Sequence, residues 1–189
     1  ISQTGKISNH LNLDDCTKYK VAVAEGIGSP TAPAELTWAL LMNTVRQIPL
    51  AIEELKNGHW QTNIGTSVYG KTIGIWGYGK IGQKIAQYAK VFGAKVLVWG
   101  SQASREKAEN DGFEQASSKE EFFKNSDIIT LHLRLNEKTF EIVKESDLMM
   151  MKKNATLINT ARAELIEKGA LLKCIKLGRP SFAGIDVYE

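Results

Sequence analysis

Cysteine is scarce in this sequence: two residues, Cys16 and Cys174, in 189. Two is too few for a disulfide framework, and their spacing matches no metal site, so a reducing cytoplasm is expected and no metal is implied. Charge of one sign is lacking as well. The formal net charge is +3 and the lysines and arginines are scattered, which gives no basis for a nucleic-acid or membrane surface. No apolar run reaches the length that crosses a bilayer, and the opening I-S-Q-T-G-K has none of the character of a signal peptide. Internal repeats and low-complexity tracts are absent. The first residue is Ile1 rather than Met, and the last residues are Val187-Tyr188-Glu189. A piece of a longer polypeptide is therefore expected.

What the sequence does have is ordered alternation. From Lys71 to Gly82 it reads K-T-I-G-I-W-G-Y-G-K-I-G. A strand-length apolar run, Thr72 to Trp76, leads into Gly77-Tyr78-Gly79-Lys80-Ile81-Gly82, a G-x-G-x-x-G. Ile81, Ile85, Tyr88, Ala89 and Phe92 then recur at helical spacing, and Lys95 to Trp99 forms a second apolar run. Strand, glycine turn, helix and strand make a βαβ unit, the setting in which this motif marks a dinucleotide site. Gly77 permits the tight exit from the strand, Gly79 lets a diphosphate approach the backbone, and Gly82 lets the helix pack close to the strand. The helix N-terminus adds free N–H groups and partial positive charge.

Around this unit the pattern predicts further elements. Residues 1–28 read as a short strand, a short helix over Leu13–Lys18 and a strand over Val21–Ala24. Leu36, Leu40, Val45, Ile48, Ile52 and Leu55 predict a long helix, entered through Ser29 or Thr31 and Pro30 or Pro33. Pro49 should kink or split it, and Asn57-Gly58 should end it. Downstream, helices are expected over Arg105–Asn110, after a Ser118/Glu121 capping box, over Ser146–Met151 and over Glu164–Leu177. Strands are expected over Asp127–Leu133, Ala155–Asn159 and Phe182–Val187. The reading is an α/β doubly wound parallel sheet, whose ligands bind beyond the carboxyl ends of the strands.

Those strand ends carry further motifs: L-H-L-R-L-N-E-K-T at 131–139, L-I-N-T-A-R-A-E-L-I-E at 157–167 and G-I-D-V-Y-E at 184–189, with G-S-P-T-A-P-A-E-L upstream at 28–36. Together with 77–82 the sequence resembles the D-isomer-specific 2-hydroxyacid dehydrogenase family over nearly its whole length. The resemblance implies a Rossmann-like NAD(P)-binding domain over 29–189, preceded by a remnant of the substrate-binding domain over 1–28. It implies an oxidoreductase that moves hydride between NAD or NADP and a small-molecule D-2-hydroxy acid or 2-oxo acid, with a homodimer as the usual assembly.

By the resemblance, Arg162 is the catalytic Arg and binds the substrate carboxylate. Gly77, Gly79, Lys80, Ile81 and Gly82 hold the diphosphate, and Ser101 stands at the ribose end of the second strand. His132 lies near the cofactor, Thr160 and Ala161 beside the nicotinamide ribose, and Asp186 at the carboxamide, while Thr31 faces the nicotinamide from the interdomain helix. Gly5 and Lys6 align with the loop that grips the substrate carboxylate. The family's catalytic Glu and His lie beyond the end of the chain; neither Glu189 nor His10, His59 or His132 replaces them, so this chain alone is expected to be inactive. Gly100-Ser101, with Arg105 near, stands where NAD users commonly place an Asp, which leaves NADP at least as open as NAD. The alternative is a corepressor-like, dinucleotide-sensing module without catalysis, or a related enzyme acting on formate or phosphite.

Overall fold

The computed structural model describes residues 1–5, 7 and 11–188; the expectations placed on Lys6, His10 and Glu189 lie outside them. The chain forms two compact units, Ile1–Ala32 and Pro33–Glu189.

In the first unit β1 (Ser2–Gln3) and β2 (Ala24–Glu25) pair in parallel. The second strand lies further along than the Val21–Ala24 pattern predicted. Between them runs α1 (Leu13–Lys18). Asn12 starts it, its side chain accepting from the Asp14 and Asp15 N–H groups at 3.0 and 3.2 Å, and Lys18 lies in the last turn, where a cation suits the helix dipole.

The long apolar stripe becomes two helices, α2 (Thr31–Arg46) and α3 (Ile48–Lys56). The break falls at Gln47, which takes the left-handed conformation (φ 52°), and Pro49 sits in the first turn of α3, where its missing N–H costs nothing. Leu41 and Val45 of α2 are buried, but α3 buries no residue.

Six parallel strands make the main sheet, in the order β5-β4-β3-β6-β7-β8. In chain order they are β3 (Thr72–Trp76), β4 (Lys95–Trp99), β5 (Glu114–Gln115), β6 (Ile128–Leu131), β7 (Thr156–Asn159) and β8 (Phe182–Ile185). The chain winds outward from β3 to β5, then returns to the other side of β3 for β6 to β8. The switch point therefore lies between β3 and β6, where such sheets bind ligands. Alternate residues feed two cores. Ile73, Ile75, Val96, Val98, Ile128 and Ile158 pack with α2 and with α4 (Lys80–Val91). Trp76, Leu97, Ile129, Leu131 and Leu157 face the other side. They pack against α6 (Lys119–Asn125), α7 (Glu145–Met150) and α8 (Ala170–Lys176). Between β4 and β5 lies α5 (Gln102–Asn110). Trp76, Phe122 and Phe123 meet edge-to-face with centroids 5.5–5.9 Å apart, the favoured aromatic geometry.

Two local expectations need correction. Glu164–Leu177 is not one helix but a short 3₁₀ turn over Ala163–Leu165 followed by α8. Ile166 pairs with Val143 in a parallel bridge, and Gly169 enters α8 at φ 77°. The bridge holds Ile166 extended (φ −103°, ψ 134°), which no helical pattern reveals. At α6, Ser118 accepts from the Glu121 N–H at 3.0 Å, but the Glu121 carboxylate turns to the Ser117 N–H at 2.7 Å, so only half of the expected capping box forms.

Candidate functional site

Every turn that leaves the carboxyl end of β3, β4, β6, β7 and β8 carries at least one of the residues singled out in the sequence. Gly77–Gly82 follow β3. Gly77 has φ 102°, donates its N–H to the Trp99 carbonyl at 2.9 Å, and would place a Cβ 2.7 Å from the His132 carbonyl oxygen. The turns after β3 and β6 thus touch at the switch point, with no room for a side chain at 77. Gly82 is as constrained: a Cβ there would sit 2.1 Å from the Gly77 oxygen. Gly79 differs, because a Cβ there would meet nothing within 4 Å. It starts α4 with no side-chain cap, and the Gln83 N–H returns to the Gly79 carbonyl at 3.0 Å. The N–H groups ahead of Gln83 are left for a ligand, at the positive end of a 12-residue helix. An open approach at Gly79 beside free donors is what a diphosphate requires.

After β4, Ser101 starts α5, its hydroxyl accepting from the Ser104 N–H at 3.3 Å. The Arg105 guanidinium lies 4.9 Å from the Trp99 ring centroid, a cation–π distance. Its Nε is buried without a hydrogen-bond partner. After β6, the His132 Nε2 is 2.8 Å from the Thr130 hydroxyl. His132 is partly buried, and burial pushes its imidazole down to about 4, so the ring is neutral at pH 7.

After β7, Thr160, Ala161 and Arg162 form a turn ordered by Asn159. Its amide donates to the Arg162 carbonyl at 2.9 Å and its Oδ1 accepts from the Ala161 N–H at 3.0 Å. The Thr160 hydroxyl is 2.7 Å from that of Thr37, a buried residue of α2. Arg162 itself is exposed, and among the described residues its guanidinium meets only the neighbouring Ala161 carbonyl, at 2.6 Å. It carries a fixed charge free for an anion. After β8, the Asp186 N–H donates to the Asn159 carbonyl at 3.0 Å and the side chain is exposed. The main unit therefore brings Gly77–Gly82, Ser101, His132, Thr160–Arg162 and Asp186 to one edge of one sheet. Gly5 and Thr31 belong to the first unit.

Sequence reasoning missed Asn159, Thr37 and the burial of Tyr78. Asn159 stood in a recognised motif, but its role as a turn clamp depends on the local backbone. Thr37 lies on an apolar helix and signalled nothing. A cavity of about 490 Å³ opens at the opposite edge, before the strands, and is lined by Lys71, Asp127, Lys152 and Phe182 among others. It is remote from the strand-end cluster. Among the described residues no group of His, Cys, Asp or Glu is placed to hold a metal, and no helix is long and apolar enough to cross a membrane.

The family described as D-isomer specific 2-hydroxyacid dehydrogenase, NAD binding domain, matches residues 38–189. The chain belongs to that family. Its similarity to the phosphoglycerate oxidoreductase of Vibrio cholerae O395 is 51% in sequence, with a TM-score of 0.95 over all of this chain and 61% of that one. It is 30% identical to the D-lactate dehydrogenase of Aquifex aeolicus, solved with NAD and lactic acid, with a TM-score of 0.87 over all of this chain and 57% of that one. A glyoxylate reductase of Thermococcus litoralis is 35% identical over 96% of this chain and 57% of its own length. The chain thus spans about three fifths of these relatives. Its α/β parallel sheet and its place as the family's NAD-binding part stand on the fold and the family together.

Proposed function

We propose that the protein to which this chain belongs transfers hydride between a nicotinamide dinucleotide and a 2-oxo or D-2-hydroxy acid. The chain contributes the cofactor cradle and the substrate-binding Arg162. The observation that carries the reading is the strand-edge cluster: an open Gly79 at an uncapped helix start beside a solvent-facing Arg162 on a clamped turn. When bound, the dinucleotide supplies or accepts the hydride. The chain's own groups do the rest. Backbone N–H groups at the start of α4 hold the diphosphate, and Gly77 and Gly82 keep the turn tight. Thr160 and Ala161 line the nicotinamide ribose, and Asp186 binds the carboxamide. His132 remains a neutral hydrogen-bonding wall. Arg162 grips the substrate carboxylate through paired N–H donors and polarises the adjacent carbonyl toward the alkoxide that hydride addition creates. The proton donor for that alkoxide lies outside this chain, as do further substrate contacts, and residues 1–28, with Gly5 and Lys6, supply the remnant of the substrate-binding domain, while Thr31 counts among the cofactor contacts. The chain alone should bind cofactor without turnover.

NADPH should bind at least as tightly as NADH. Residues 100–105, which follow β4, carry no carboxylate to repel a 2′-phosphate, and Arg105 stands on Trp99 within the first turn of α5. The protein should be a cytoplasmic homodimer. Its unpaired thiols, Cys16 and Cys174, suit a reducing compartment. The wholly unburied α3 leaves Ile52 and Leu55 exposed beside Trp60, which is 75% exposed, around a groove of about 320 Å³. A second copy of this face is the natural cover for such a patch.

The full-length protein, assayed with NADH and NADPH against glyoxylate, pyruvate and 3-phosphohydroxypyruvate, tests the reading. Reduction of at least one acid is expected, with NADPH affinity equal to or better than NADH. Absence of turnover on any 2-oxo acid would leave only the cofactor-sensing role, and an NADH preference of about tenfold or more, about 1.4 kcal/mol, would overturn the NADP assignment.

A further inference from the structure

Tyr78, the second residue of the glycine turn, does not face the ligand side. It is 2% exposed. Its ring packs edge-on to Phe113 with centroids 6.1 Å apart, and its hydroxyl donates to the Asp111 Oδ2 at 3.1 Å. Asp111 ends α5, and the Lys107 Nζ reaches the same oxygen at 3.2 Å. The other end of residue 78 is held too: the Gln83 Nε2 donates to the Tyr78 carbonyl at 3.1 Å. Both α4 and α5 therefore grip the one residue that separates Gly77 from Gly79.

The consequence follows from where α5 begins and ends. Its last residues fix Tyr78, and its first turn carries Ser101 and Arg105 at the ribose end of β4. Glycines on both sides leave the turn with wide conformational freedom, and affinity improves when a binding loop is held in its bound form beforehand. The hydroxyl bond adds a tie from α5 to the one that Gln83 makes from α4, and so limits that freedom from a second helix. Burial first, then the bond to Asp111 and its charge, raise the phenol's pKa above its usual value, so the tie persists across ordinary working pH.

We propose that Tyr78 and Asp111 form a positioning pair that holds the diphosphate-binding turn in its binding conformation and couples it to α5, so that the Tyr78 hydroxyl contributes to dinucleotide affinity without touching the ligand. The inference rests on the cofactor reading above. Loss of the hydroxyl leaves Asp111 paired with Lys107 and partly exposed, so no charge is stranded and the fold is kept.

The test is a double-mutant cycle in the full-length protein, with Tyr78→Phe, Asp111→Ala and the combination. Ligands are NADH, NADPH, ADP-ribose and adenosine, and binding is followed by tryptophan fluorescence with a melting curve for each variant. Tyr78→Phe keeps the ring and its Phe113 contact. It should weaken NADH, NADPH and ADP-ribose by about three- to tenfold. Adenosine, which has no diphosphate, should bind as to the wild type, and the melting temperature should stay within about 3 °C. Asp111→Ala should do the same, and the double variant should be no weaker than the worse single variant. Unchanged ADP-ribose affinity in Tyr78→Phe, equal weakening of adenosine, or additive losses in the double variant would each overturn the proposal. A wild-type protein that binds none of the dinucleotides would overturn the cofactor reading itself, and the pair's role with it.

Discussion

Gly79 and Gly82 should respond oppositely in stability to the same added methyl group. Both belong to the turn after β3, and both serve the proposed cofactor site, but for different physical reasons. At Gly79 the backbone (φ −81°, ψ −164°) suits any L-residue, and a Cβ meets nothing within 4 Å. Gly79→Ala should therefore leave the fold intact, with a gain of up to about 0.4–1 kcal/mol from a stiffer unfolded chain. At Gly82 a Cβ would lie 2.1 Å from the Gly77 oxygen and 3.3 Å from Ile75 Cγ2. The clash is with backbone, so α4 and β3 must separate by roughly 1 Å. A clash with backbone this close falls in the upper part of the usual overpacking cost, about 2–3 kcal/mol, and the helix preference of Ala over Gly returns about 1 kcal/mol of it. A net loss of about 1–2 kcal/mol should lower the melting temperature by roughly 2–8 °C at this size. Dinucleotide affinity should fall about tenfold or more in both variants, because the Gly79 methyl stands in the path of the diphosphate and the Gly82 methyl displaces the turn. Paired melting curves and fluorescence titrations read both quantities. Wild-type affinity in Gly79→Ala would mean that no diphosphate approaches there, and a wild-type melting temperature in Gly82→Ala would mean that the helix–turn contact is slacker than it stands.

Asn159 is 1% exposed and clamps the Arg162 turn with two hydrogen bonds; Asn159→Ala should cost about 1–3 kcal/mol by chemical denaturation, and it should also weaken substrate binding more than cofactor binding. Stability should depend on pH through His132. Its folded pKa of about 4 lies below the ordinary value of 6.5, so the unfolded chain takes up the proton first. The contribution is complete above pH 6.5 and declines as pH falls toward 4, by up to about 3 kcal/mol. His132→Gln should flatten that slope in urea titrations between pH 4 and 7, and an unchanged slope would contradict the partly buried, neutral ring. At the α3 face, Leu55→Asp should convert the proposed dimer to a monomer by light scattering, whereas a wild-type protein already monomeric would remove the reason for that face.

The β3–α4–β4 unit was legible because its signals are local: a buried strand run, glycines at fixed offsets and an amphipathic period. The same holds for the split just ahead of Pro49 and for β6 and β7, whose residues are all buried and whose sequence is short and rich in apolar and β-branched residues. Failures came where a distant partner decides the backbone. The 164–177 segment has helical periodicity, but pairing of Ile166 with Val143 breaks it after the 3₁₀ turn by holding Ile166 extended. Tyr78 reads as an ordinary residue in a variable position of the glycine motif, and only the return of the chain to Asp111, 33 residues later, gives it a partner. At the site, motif residues were placed at one sheet edge as their strand-end positions predicted. The struts behind them, Asn159 and Thr37, are small polar residues whose meaning depends on what folds against them.

Arg162 offers the most direct measurement. Among the described residues its guanidinium bonds only to the neighbouring carbonyl, so Arg162→Gln should fold and melt as the wild type and bind NADH or NADPH with unchanged affinity. In the full-length protein kcat/KM for the 2-oxo acid should nevertheless fall by about 10²–10³. A variant that still reduces the acid within about threefold of the wild-type rate would place the charge that binds and polarises the substrate elsewhere, and the role given to this strand edge would be wrong.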